Sequence, residues 1–90
     1  MSELYLYTIQ ETGHDDSGDV VHDVFRLSLA FQDLRLLASG ITLDIAHVIL
    51  TARVLPCDTV RLKTGVDTTE QSGLTFLQER VKDHLADLGA

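Results

Sequence analysis

Asp33-Leu34-Arg35-Leu36-Leu37-Ala38-Ser39-Gly40, near the middle of a 90-residue chain, marks the point where the hydrophobic period changes. Before it, from Val21 onward, apolar and polar residues alternate. Phe25, Leu27, Leu29 and Phe31 fall on one side, and His22, Arg26, Ser28 and Gln32 on the other. That alternation is the signature of a half-buried strand. From Asp33 the alternation gives way to a tight leucine cluster, and Gly40 stands where a left-handed C-cap would end a short helical turn. Thr42 then occupies an N-cap position for a second helix running to Leu55, with Pro56 as its stop. Ile41, Ile45, Val48, Ile49, Ala52 and Leu55 share one side of that helix and Leu43, Leu50 and Val54 the other, so it reads as a central, buried element. The β-branched content of residues 46–55 also fits a buried strand.

On the N-terminal side, Leu4 to Ile9 is rich in β-formers and reads as a first strand. Thr12 to Asp19 is a dense run of turn residues, with Gly13 and Gly18 able to take positive φ. The two strands therefore form a hairpin around this turn. On the C-terminal side, Asp58 to Thr64 alternates again, with Val60 and Leu62 inward and Arg61 and Lys63 outward, and Gly65 ends it. Leu74, Leu77, Val81, Leu85 and Leu88 then trace a helical stripe closed by Gly89. Its start is marked either by Asp67 with Glu70, in the manner of a capping box, or by Ser72 as N-cap. No repeat, linker or low-complexity tract divides residues 1–90, so the expectation is one globular α+β domain. Its sheet is three-stranded and mostly antiparallel with two to three helices, in the order β-β-α-α-β-α. The expected core is Phe25, Leu27, Leu29, Phe31, Ile45, Val48, Ile49, Leu62, Leu77, Val81 and Leu85.

Charge is distributed unevenly. Residues 1–25 hold Glu3, Glu11, Asp15, Asp16, Asp19 and Asp23 and no Lys or Arg, so this quarter carries most of the net charge of −7. Confined to one hairpin, such a block forms one negative surface. Arg26, Arg61 and Lys63 are the bases that neighbouring strands could bring to it. The same balance disfavours phosphate backbones and anionic lipids as partners. The stretch Ile41 to Leu55 is too short and too interrupted to span a bilayer, and the N-terminus has no signal-peptide pattern. A single cysteine, Cys57, excludes an internal disulfide and fits a reducing, cytoplasmic setting.

Few residue sets in the chain are of a kind that carries chemistry. His14, Asp15, Asp16, Asp19, His22 and Asp23 are residue types that ligate transition metals, and a metal-binding enzyme or sensor on His14 and His22 is one reading. The spacing matches no metal motif. An EF-hand frame on Gly18 puts Gly13 at the first position and Val24 where the bidentate Glu belongs. A helix-turn-helix around Gly40 fails because Thr42 to His47 offers no base to a major groove. Cys57 lies beside Asp58, which opposes a thiolate, and no serine sits in a nucleophile elbow. No cofactor motif is present.

What remains is surface. Phe76 falls off the apolar stripe of its helix, and either packs under the Gly65 loop or anchors a partner. Tyr5 and Tyr7 share one face of the first strand while Leu4 and Leu6 share the other; one pair faces the core and the other is offered outward. The expected function is a non-enzymatic protein-binding module: an inhibitor, antitoxin, immunity or phage counter-defence factor. Asp15, Asp16, Asp19 and Asp23 would steer it to a basic partner, and Tyr5, Tyr7 and Phe76 would hold it there. The alternative is a structural or oligomeric subunit of a larger assembly, such as a virion, in which Phe76 and the exposed strand face drive self-association; a homodimer is a further expected partner state.

Overall fold

A computed structural model of the protein describes residues 4–89, with side chains through Val81. The order of elements is β1 (Tyr5–His14), β2 (Val20–Ser28), β3 (Asp33–Ile41), α1 (Leu43–Thr51), β4 (Thr59–Thr64), β5 (Asp67–Ser72) and α2 (Gly73–Gly89). The strands form one mixed sheet in the order β3-β2-β1-β4-β5. β1, β2 and β3 are an antiparallel meander, β4 lies parallel to β1, and β5 returns antiparallel to β4. β3 and β4 thus run the same way, which requires a crossover, and α1 supplies it.

The architecture is α+β, but the three-stranded sheet and the β-β-α-α-β-α order are corrected. Asp33 to Gly40 is a strand, not a helical turn. Gln32 (φ 53°) turns the chain back after β2, and Leu34 and Leu36 then point to one side of the sheet while Arg35 takes the other. Gly40 does have the left-handed φ expected of it (64°), but it serves an irregular stretch of the β2–β3 ladder, where its N–H donates to Asp23 Oδ1 at 3.2 Å. Asp67 and Glu70 are likewise strand residues. Gly65 (φ 53°) and Val66 form a two-residue hairpin, and Glu70 lies opposite Arg61, whose Nε donates to Oε1 at 2.7 Å. Of the two proposed starts of α2, Ser72 is the one used: its Oγ accepts the N–H of Thr75 at 3.1 Å.

Residues 46–55 resolve as helix followed by loop. α1 ends at Thr51, short of Pro56, and Thr42 stands at its N-cap position without a side-chain bond. α1 is covered on one side and not on both as expected: Ala46 and Leu50 are sealed in, while Ile45 and Val48 of the expected core face out, Val48 at 69% exposure. Small Ala46 lets the helix axis lie close to the sheet, which leaves the bulkier β-branched side for solvent.

The core is made by Tyr7 and Ile9 of β1, Val24 of β2, Ala46 and Leu50 of α1, Val54, Val60 of β4 and Phe76 of α2. Both helices therefore lie on the same side of the sheet. Of the core expected from sequence, Leu62, Leu77 and Ile49 are half-buried, and Ile45, Val48, Leu29, Phe31 and Val81 are exposed; Leu85 lies outside the described side chains. Phe25 and Leu27 are half-buried on the opposite side of the sheet from the helices.

One buried carboxylate ties the layers together. Asp58 Oδ1 accepts the N–H of Tyr5 at 3.1 Å and Oδ2 that of Leu55 at 2.8 Å, while its carbonyl accepts the N–H of Gly73 at 2.6 Å. The start of β1, the loop after α1 and the start of α2 thus meet at one residue, the first two at its carboxylate and the third at its carbonyl, and the residue is sealed from solvent. The approach is close enough to demand glycine at 73, where a Cβ would stand 2.0 Å from the Leu55 carbonyl oxygen.

Candidate functional site: an open sheet face and an acidic hairpin

Ladder partners share a face, so the registers sort the strand residues into two sets. Tyr5, Tyr7 and Ile9 lie with Ser28, Arg26, Val24 and Val60 under the helices. Leu6 lies with Leu27 and Leu34, and Thr8 with Phe25, Leu36 and Arg61, on the opposite face. Neither helix packs on this second face. Across β1, β2 and β3 it is apolar: Leu34 is 63% and Leu36 55% exposed, with Leu6, Phe25 and Leu27 half-buried between them. Leu4, Leu29 and Phe31 (75% exposed) extend the apolar surface at the end of the sheet where β2 turns into β3. Toward β4 the character changes, and a shallow hollow of about 200 Å³ is lined by Thr8, Gln10, Phe25, Leu34, Arg61 and Lys63.

The acidic hairpin is at the other end. Asp15 shapes the turn itself: its Oδ1 accepts the N–H groups of Ser17 and Asp19, each at 2.9 Å, and its backbone pairs with Asp19 and Gly18. Asp23 is spent on the Gly40 N–H. Asp16 and Asp19 are exposed, and no ion pair among the described residues engages them. The bases expected to balance the hairpin are occupied elsewhere or distant from it. The Arg26 guanidinium lies 4.7 Å from the Tyr5 ring centroid, and Arg61 is paired with Glu70. Lys63 is on the open face, in the hollow. Among the described residues the turn is therefore negative and has no ion-pair partner. Leu6 and His14 are eight positions apart along β1, so the leucine row and the turn are about 26 Å apart.

The aromatic anchors expected to accompany the acids are not beside them. Phe76 is 1% exposed and Tyr7 equally sealed, both within the core, so neither is available to a partner in this fold. Tyr5 is half-buried on the helix side beneath Arg26. Burial, and secondarily the charge of Asp58, push the Tyr7 phenol above its ordinary value. Of the two outward choices on β1, the leucines are the ones offered. Their strand neighbours Phe25, Leu27, Leu34 and Leu36 belong to the same surface, and the sequence signal for it was the β2 alternation, assigned to the wrong side.

His14 and His22 do not form a site. His14 is exposed at the end of β1, whereas His22 is buried on the helix side opposite Glu11. Among the described residues no three His, Cys, Asp or Glu side chains come together to hold a metal. Between α1 and α2 runs a groove of about 540 Å³ with Val48, Ala52 and Val81 on its walls, and at its base Arg80 Nη1 lies 3.1 Å from His47 Nδ1. Both of these side chains contact the buried Phe76 ring, which makes them part of the packing of α2. Among the described residues no helix is long and apolar enough to cross a membrane. No family model, curated protein or solved structure matches the chain, so the geometry of the open face and the hairpin is what a functional reading has to work from.

Proposed function

We propose that this is a non-enzymatic protein-binding module with two contact surfaces: the open apolar face of β1–β3, and the acidic hairpin at the far end of the sheet. The observation that carries the reading is the open face. A sheet that is apolar on both sides needs cover on both, and the described residues cover one. Leaving leucines on an uncovered face is unfavourable by roughly 25 cal/mol for each Å² of apolar surface, a cost that a protein contact removes. The hairpin supports the reading separately. Asp16 and Asp19 are exposed and have no ion-pair partner among the described residues, which suits a basic partner surface and a salt-sensitive association rate. An inhibitor, antitoxin, immunity or phage counter-defence factor is the class in which such a module would act, in a cytoplasmic setting.

A second reading, a structural or oligomeric subunit, draws on the same open face. Both readings are tested by immobilising the full chain and capturing partners from a lysate of its source cells, in low and high salt. Asp16→Lys with Asp19→Lys is expected to abolish capture of a basic protein while the melting temperature stays put. Leu36→Asp is expected to remove whatever contact uses the sheet. The reading fails if neither change alters what is captured or the mass of the protein in solution.

A further inference from the structure

We infer that the open sheet face is covered by a second copy of this chain, packed face to face about a two-fold axis. This rests on reading that face as a protein contact, and it names the partner.

Area is the first argument. The exposed parts of Leu4, Leu29, Phe31, Leu34 and Leu36 together amount to on the order of 600 Å², the upper end of what a monomer shows in one patch and most of the roughly 800 Å² per partner of a standard interface. Charge is the second. With a net charge of −7, two copies repel unless their acids stay apart. Asp23 reaches the open face beyond Phe25, but its carboxylate accepts the Gly40 N–H; the exposed acids of the turn lie about 26 Å from the leucine row. Facing copies would carry their hairpins outward at opposite ends.

Self-complementarity is the third argument, because an isologous contact requires each surface element to meet its symmetry mate. Leu6, Leu27 and Leu34 form one row straight across β1, β2 and β3. A two-fold axis along that row sets leucine against leucine. Two residues to one side of it lies the row Thr8, Phe25 and Leu36, with the hollow beside it; two residues to the other side lie Leu4, Leu29 and the turn that carries Phe31. The axis exchanges the two sides and leaves each strand over its own symmetry mate, so Leu4 and Leu29 of one copy come over Thr8 and Phe25 of the other. The result is a two-layer sandwich with the helices outermost, an arrangement sheets adopt at about 10 Å separation.

Sedimentation velocity on the full chain, from low-micromolar to about millimolar concentration, tests this. The expected result is a species of twice the 9.9 kDa chain mass that does not grow further. Leu34→Asp and Leu36→Asp should each weaken it at least tenfold with the circular dichroism spectrum unchanged. Val48→Asp, equally exposed but on α1, should leave it intact. A wild-type protein that stays monomeric throughout overturns the inference. So does a mass that climbs without limit, or a dimer broken by Val48→Asp and indifferent to Leu36→Asp. The wild-type series and the Val48 variant decide the matter even if an open-face variant misfolds. A monomer that still loses a different captured protein on Leu36→Asp would overturn the second copy alone. A monomer whose captures ignore that change removes the open-face contact as well.

Discussion

The two faces of the sheet are built from the same strands and differ in what they ask of their residues. Under the helices lie Tyr7, Ile9, Val24 and Val60, but also polar His22 and Ser28, buried because the layer above seals them in. On the open side lie Phe25, Leu27, Leu34 and Leu36, a more uniformly apolar set with nothing from the described residues on top. Hydrophobicity alone would assign the faces the other way round. The covered face is the one that can be completed by the rest of the chain. There Asp58 joins three backbone segments, Ala46 lets α1 approach, and Phe76 fills the space beneath α2. Apolar content says that a surface wants cover; backbone connectivity decides which cover arrives.

The sharpest way to break this contrast is at the buried carboxylate. Asp58→Ala leaves the Tyr5 and Leu55 N–H groups without their acceptor, and the expected loss is about 4 kcal/mol of unfolding free energy in urea titration. Asp58→Asn, which retains one acceptor oxygen, should fall between. Equal stability for both variants and the wild type would mean that the layers are not joined there. Next comes a matched pair that removes the same side chain from each face. Leu50→Ala should cost about 3 kcal/mol, and Leu36→Ala less than about 1 kcal/mol when measured in dilute solution. Comparable losses would show that the open face is as well packed as the covered one. The smallest effect is in alkali. Tyr7 keeps its proton to higher pH than an unfolded tyrosine, so its stabilising contribution is whole below about pH 10 and is lost as pH rises through the folded value. Ultraviolet difference titration should show one phenol ionising late, and Tyr7→Phe should remove that late step.

Much of the local geometry was legible in the sequence. The hairpin around Gly13 to Asp19, the strand ending at Gly65 and the left-handed residue at 40 follow from residue types suited to turns and positive φ, and the Ser72 cap was one of the two helix starts the residues allowed. The element around Gly40 was not. Leu34, Leu36 and Leu37 fit a helical turn and a bulged strand alike, and a left-handed glycine can end the one or kink the other. β5 was hidden because Asp67 and Glu70 imitate a capping box, whereas a short polar strand on a sheet edge leaves almost no hydrophobic pattern. The site was missed for a different reason. Alternation shows which residues of β2 share a face but carries no information on which face meets the helices, and that choice is made by residues many positions away. The hairpin acids were found because their exposure needs no partner to explain it.

The irregular β2–β3 ladder bears on how far association can run. Each edge of the sheet is a place where further strands could add. β5 presents Asp67 and Glu70 along one, and β3 is kinked by two register shifts and charged at Asp33 and Arg35 along the other. Such edges discourage strand-by-strand addition. The face between them carries no such guard, and a face, unlike an edge, is used up by a single partner. Growth of this molecule by self-contact is therefore steered away from fibres, which lengthen at edges, and toward a closed particle of fixed size.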